Sequence, residues 1–236
     1  MIVVLLLCAG AIALVWYIRE KIRVYSLKAV FIKTLVSMLF VALGVYGSFR
    51  SAGAARAVLC PFVLLGLVCG LTGDIWLDLK YVFPEKDEPF TYAGFCAFGV
   101  GHVFYIAGML LAYFPAGKPA YLLVPLLLAA VMSAANAVLE KPMGLCFGKL
   151  KPTVVAYGVL LFSTVTISGS LALFYGRQEK TPLLLFAGGV LFALSDLVLS
   201  GTYFGTGKDR PIDLILNYSS YYPAQFLIAA SLLFVS

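Results

Sequence analysis

An all-α bundle of membrane-spanning helices is the fold class this sequence predicts, and three observations lead there. Of the 236 residues, 62% are hydrophobic and only 12% charged, against roughly 25% charged in ordinary soluble domains. Mean hydropathy is +1.01. Apolar stretches long enough to cross a bilayer, roughly 17 to 25 residues each, recur with short polar breaks between them. The net charge of +6 comes mostly from those breaks. It therefore argues for orientation by loop charge and offers no basic face to a nucleic acid.

The pattern predicts eight transmembrane helices in order. Met1 to Ile18 lacks a positive n-region, and no small-residue cleavage pattern precedes "YIREKIRVY", so it is expected to be helix 1 and not a signal peptide. Leu27 to Tyr46 is the second. Val58 to Leu77 opens near Pro61, and Tyr92 to Tyr113 and Ala120 to Val138 are uninterrupted apolar runs. Thr153 to Tyr175, Pro182 to Ser200 and Pro211 to Phe234 begin at Pro152, Pro182 and Pro211, where a fixed φ and a missing N–H suit a helix start. No linker is long enough for a soluble domain, so residues 1–236 form one expected transmembrane unit. The cysteines Cys8, Cys60, Cys69, Cys96 and Cys146 form no CxxC pair, and as mostly apolar-segment residues they are expected to be reduced packing groups.

Most Lys and Arg lie in the odd-numbered loops, among them Arg19, Lys21, Arg23, Lys80, Lys149, Lys208 and Arg210, which predicts those loops in the cytosol and both termini outside. "GLVCGLTGDIWL" from Gly66 and "GGVLFALSDLVL" from Gly188 align without gaps on a Gly, a Val, the Asp and the final Leu. Two parallel four-helix halves would explain the match. A chance similarity of apolar helices would explain it equally well.

Polar residues can be sorted by their distance from a loop, which fixes depth in a membrane helix. Asp74 sits a turn or two from the third loop, and Asp196 a similar distance from the seventh. Helices 3 and 7 run in the same direction, so the two acids share a leaflet. Lys33, Asn136, Tyr157, Asn217 and Tyr218 belong to the same side. An Asp at a helix centre costs roughly 2.5 to 3.5 kcal/mol on insertion scales, and such groups face a bundle interior or a wet cavity. Two of them in one leaflet imply a joint purpose, with Lys33, Asn136 and Tyr157 as substrate contacts or as hydrogen-bonding glue between helices. Asp78 and Asp213, nearer the interface, are expected to be solvated or helix-end charges. His102 is the only histidine, so a zinc site lacks its ligands and no metal or cofactor is expected. In the last helix "NYSSYYPAQFLIAA" places Tyr221, Tyr222 and Gln225 around Pro223, which frees a carbonyl and predicts a kink.

Burial disfavours the charged form of a carboxyl, and a neighbouring carboxylate disfavours it further in one member of a pair. One acid can then donate a proton while the other serves as base, a division that suits hydrolysis through an oxocarbenium ion or aspartyl proteolysis. "GLTGDIWL", "FGVGHVFYI", "LFALSDLVL" and "YYPAQFLIA", in this order and after Lys33 in "FIKTL", resemble the YhhN-like integral membrane family over nearly the whole chain. Characterised members of that family are lysoplasmalogenases; the animal ones are alkenylglycerophosphocholine and -ethanolamine hydrolases. The resemblance implies eight helices, metal-independent catalysis and essential aspartates at Asp74 and Asp196. It implies cleavage of the vinyl ether of a lysoplasmalogen to a fatty aldehyde and a glycerophospho-base. The chain departs from relatives at "IKTL", where many have Lys-Pro, and at "YYPAQ", where animal members often read "YYAAQ".

The site expected from these residues has Asp74 and Asp196 as catalytic groups, with Lys33, His102, Asn136, Tyr157, Tyr222 and Gln225 around the substrate. Its partners are a lysophospholipid, water and membrane lipids. By resemblance the membrane is that of the endoplasmic reticulum in a eukaryote and the inner membrane in a bacterium. A lipid or small-solute transporter is the rival from another class. An intramembrane aspartyl protease is less favoured, since its GxGD and PAL patterns appear here only as "LTGD" and "PAQ".

Overall fold

In the computed structural model, which describes residues 1–205 and 210–236, each predicted span is a helix. Eight α-helices follow one another: α1 (Ile2–Arg23), α2 (Leu27–Arg50), α3 (Leu59–Val82), α4 (Asp87–Tyr113), α5 (Ala120–Val138), α6 (Lys151–Tyr175), α7 (Lys180–Phe204) and α8 (Pro211–Ser231). No strand occurs among the described residues. The seventh-loop cation Lys208 lies outside them.

Several helices overrun the apolar spans. α3 continues through Asp78 and Lys80, and α4 begins at Asp87, not at Tyr92. Hydropathy ends where hydrocarbon ends, whereas the helix continues because it satisfies its own backbone into the headgroup zone. Helix α2 starts at Ser26, whose hydroxyl accepts a hydrogen bond from the Ala29 N–H, and Lys21, Arg23 and Lys80 lie in last turns, where they complement the helix dipole. Asp213 is the helix-end charge its position suggested, accepting from the backbone N–H of Arg210 at the start of α8. α8 runs as one helix through Pro223.

Helices α1 to α7 are long and apolar enough to span a bilayer, and the chain is a multi-pass membrane protein. α8 falls short on hydropathy because it carries Asn217, Tyr218, Tyr221, Tyr222 and Gln225, all of them buried. Large apolar side chains such as Phe31, Leu127, Val138 and Leu173 are exposed, while Lys33, Asp74, Asp78, His102 and Gln225 are buried. That is the reverse of a soluble protein and the arrangement a bilayer demands.

The packing repeats. In the first half α1 lies on α2, α2 on α3 and α3 on α4; in the second α5 lies on α6, α6 on α7 and α7 on α8. The halves meet chiefly at α4 on α6 and α8 on α2, which exchange under the same correspondence, and α8 also touches α1 and α3. Six helices thus close a ring, with α1 and α5 outside it. The aligned glycines occupy equivalent crossings. A Cβ on Gly66 of α3 would fall 2.2 Å from the Tyr105 ring of α4, and one on Gly188 of α7 would fall 2.9 Å from the Ala224 carbonyl oxygen of α8. Close helix approach needs both to be bare. Asp74 and Asp196, eight residues after their respective glycines, consequently turn into the ring at corresponding places.

Candidate active site

Asp74 arrives in the ring on α3 and is buried, with 2% of its surface exposed. Its carboxylate accepts from Ser37 Oγ at 2.6 Å and Tyr221 OH at 2.8 Å, and Lys33 Nζ lies 3.2 Å from its other oxygen. Behind Tyr221 the donors continue in one direction: Gln225 Nε2 donates to Tyr221 OH at 3.0 Å, and Tyr105 OH donates to Gln225 Oε1 at 3.3 Å. Every neighbour is a donor and one is a cation. The ionised carboxylate, which only accepts, is the form these surroundings fit.

Asp78 corrects the sequence expectation. It is neither solvated nor a simple helix-end charge but 1% exposed, accepting from Tyr17 OH at 2.9 Å and Lys21 Nζ at 2.9 Å, with Lys33 Nζ at 3.3 Å. One turn beyond Asp74, it faces the same way, and α1 closes over it. Lys33 therefore stands between two carboxylates.

Asp196, on α7, has different company. Its partner among the described residues is a neutral hydroxyl, Tyr157 OH of α6, at 2.5 Å from Oδ2. On the far side of Tyr157 lies His102 Nε2 at 3.5 Å. The histidine tautomer follows from the next link. Thr164 Oγ1 donates to the Leu160 carbonyl at 3.1 Å, so it accepts from His102 Nδ1 at 3.0 Å, and Nε2 is left as the acceptor. Tyr157 has an acceptor on either side and one proton. It can donate to an ionised Asp196, or turn to His102 and accept from a protonated one.

Both aspartates border one narrow hollow within the helix ring, with about 60 Å³ of room for the centres of water-sized molecules. Lys33, Asn136 and Tyr157 border it too, as do Phe95, Phe98, Leu161 and Phe162 on its apolar wall. Three expected substrate contacts do not. His102 stands behind Tyr157, Gln225 behind Tyr221, and Tyr222 is wholly buried against Tyr17, Phe40 and Tyr218. It is Tyr221, next to it in sequence, that reaches Asp74. Asn217 anchors α8 to α7, donating to the Ser195 carbonyl at 2.9 Å.

Ser37, Tyr221, Tyr105 and Thr164 were not among the expected site residues. Helical spacing held the signal for three of them: Ser37 is one turn after Lys33, Tyr221 one turn before Gln225, and Thr164 two turns after Tyr157. Among the described residues, no three His, Cys, Asp or Glu side chains are grouped so that they could hold a metal ion.

Fold and site together define a class: a polytopic helical membrane protein with two carboxyls of unlike surroundings on one intramembrane hollow. The chain belongs to the YhhN family, whose model matches residues 29–232. No curated protein and no solved structure matches it. The family match takes in α2 to α8, the helices that carry both aspartates.

Proposed function

We propose that the protein is a lysoplasmalogenase, hydrolysing the vinyl ether of 1-alkenyl lysophospholipids. The observation that carries the reading is that two carboxyls with unlike surroundings border the same hollow, Asp74 among donors and a cation, Asp196 beside the Tyr157 hydroxyl. Hydrolysis of an enol ether needs an acid and a base at one bond.

In the first step Asp196, protonated, gives its proton to the β-carbon of the enol ether, and the π pair becomes the new C–H bond. The α-carbon is then an oxocarbenium ion, and the negative charge of Asp74 stabilises it. Water adds to that carbon and loses a proton to Asp74, giving a hemiacetal. The hemiacetal hydroxyl returns a proton to Asp196 as the C–O bond to glycerol breaks, and the departing oxygen takes the proton from Asp74. Aldehyde and glycerophospho-base leave, and both acids are restored. Tyr157, bridging Asp196 and His102, lets Asp196 lose and regain its proton without an unpaired oxygen at either stage. Lys33 orients Asp74 and holds it ionised.

The test is aldehyde release by purified protein. A lysoplasmalogen yields aldehyde and the saturated-ether lysolipid yields none, and Asp74→Asn and Asp196→Asn each reduce turnover about 10²- to 10⁴-fold, the range of acid–base catalysis. Near-normal turnover in either folded variant would refute the assignment. The repeated packing, with the hollow at the junction of two similar halves, favours a second reading as a lipid or small-solute transporter. In that case no aldehyde forms from either lipid, and both are moved across proteoliposomes.

A further inference from the structure

A second hollow adjoins the first at the odd-loop end of the bundle and plays no part in the chemistry above. It has about 490 Å³ of room on the same measure and shares Leu199, Tyr203, Asn217 and Tyr218 with the hollow holding the aspartates. Its charged walls are Lys21, Lys80, Asp87 and Arg210, from the end of α1, the end of α3, the start of α4 and the start of α8. Tyr25 and Tyr81 stack on each other, 4.7 Å between centroids, on one side.

The cations there are partly held by ring faces. Lys80 Nζ lies 3.6 Å from the Tyr203 centroid, besides 3.2 Å from Asp87 Oδ1 and 3.2 Å from Thr91 Oγ1. Lys21 Nζ lies 4.0 Å from the Tyr81 centroid and 4.8 Å from that of Tyr25, besides its bond to Asp78. A ring face is a weaker acceptor than a phosphate oxygen. An arriving phosphate would take N–H groups from the rings, leaving tyrosine faces and the 61%-exposed Asp87 carboxylate to a quaternary or primary ammonium. Arg210 gives Nε and Nη2 to Asp213 at 2.9 Å each, but the arginine is 65% exposed and such a surface pair is weakly held, so a phosphate can share its guanidinium. Lys33, buried between two carboxylates, cannot do this work.

We propose that this second hollow is the headgroup site, in which Lys80 and Arg210 bind the phosphate of a zwitterionic lysophospholipid whose chain lies in the hollow of Asp74 and Asp196. The site rests on the lysophospholipid reading of the preceding section, and it orients the substrate. Only the glycerol carbons separate phosphate from ether, so a headgroup here brings the ether to the inner hollow.

Binding tests this without catalysis. The ligands are a saturated-ether lysophosphocholine and a 1-alkylglycerol of equal chain length, measured on detergent-solubilised full-length protein. Wild type is expected to bind the phosphocholine lipid at least tenfold more tightly. Lys80→Gln and Arg210→Gln should each weaken that lipid about ten- to hundredfold, the size of a charge-assisted hydrogen bond, and leave alkylglycerol affinity unchanged, which also shows that each variant is folded. Arg210→Lys should recover part of the loss. Excess inorganic phosphate should fail to displace the lipid, since the chain supplies much of the affinity. Equal affinity of wild type for both lipids, equal losses for both in the variants, or displacement by phosphate alone would overturn the proposal. If headgroup discrimination is found and wild type releases no aldehyde from a lysoplasmalogen, the hydrolase reading falls and the headgroup site stands.

Discussion

Asp74, Asp78 and Asp196 are three buried or partly buried acids of one chemical kind, and their neighbours give them different work. Asp78 is bonded to Tyr17 and Lys21, and Lys33 lies between it and Asp74, so those four charges form one network joining α1, α2 and α3. Removing one partner from such a network leaves an uncompensated charge and costs about 3 to 5 kcal/mol. Asp78→Ala is therefore expected to lower the thermal midpoint markedly and to lose activity with it. Asp196→Asn removes no ion-pair partner among the described residues and should keep the wild-type midpoint while losing turnover. Differential scanning fluorimetry of the two variants separates scaffold from chemistry, and an unchanged midpoint for Asp78→Ala would sink that distinction. Asp74 and Asp196 were legible in the sequence because a carboxyl inside an apolar run has few innocent explanations. The choice of Tyr221 over Tyr222 was not legible. Neighbouring residues point about 100° apart on a helix, and which one faces Asp74 depends on the rotation of α8, set by its packing against α7 and α2.

At the level of elements, helix crossings fix that rotation. Gly188 lies against α8, with the Ala224 carbonyl oxygen 2.9 Å and the Ile228 backbone nitrogen 3.3 Å from where a Cβ would sit. Backbone cannot swing aside as a flexible side chain can. Gly188→Ala is expected to push α7 from α8 and destabilise by about 1 to 3 kcal/mol, as overpacking does. It should also reduce aldehyde release, because α7 carries Asp196 and α8 carries Tyr221; stability and turnover indistinguishable from wild type would contradict the crossing described. The existence and order of α1 to α7 were readable from hydropathy, and the start of α8 from Pro211. Their ends were not, since polar last turns such as "DLKYV" of α3 remain helical beyond the hydrocarbon. That same blind spot hid Lys80, which reads as a loop charge and lines the second hollow.

Over the whole molecule, the sequence match between Gly66–Leu77 and Gly188–Leu199 left repeat and coincidence equally open. The paired packing of α1–α4 and α5–α8 favours the repeat. It also gives both acids a common depth and direction. The excess of Lys and Arg in the odd loops makes a further expectation about the molecule in its membrane. Cys146, exposed in the α5–α6 loop, should react with a membrane-impermeant maleimide in inside-out vesicles and not in right-side-out ones, with Cys146→Ser as the control. Labelling only from the opposite face would invert the orientation. The proposed hydrolysis requires Asp196 to deliver a proton to carbon while Asp74 supports the cation across the hollow. Turnover of a lysoplasmalogen in D₂O measures this directly: wild type is expected to release aldehyde carrying one deuterium on the carbon next to the carbonyl, and Asp74→Asn and Asp196→Asn almost none. Aldehyde without deuterium, or full labelled turnover by either variant, would contradict it.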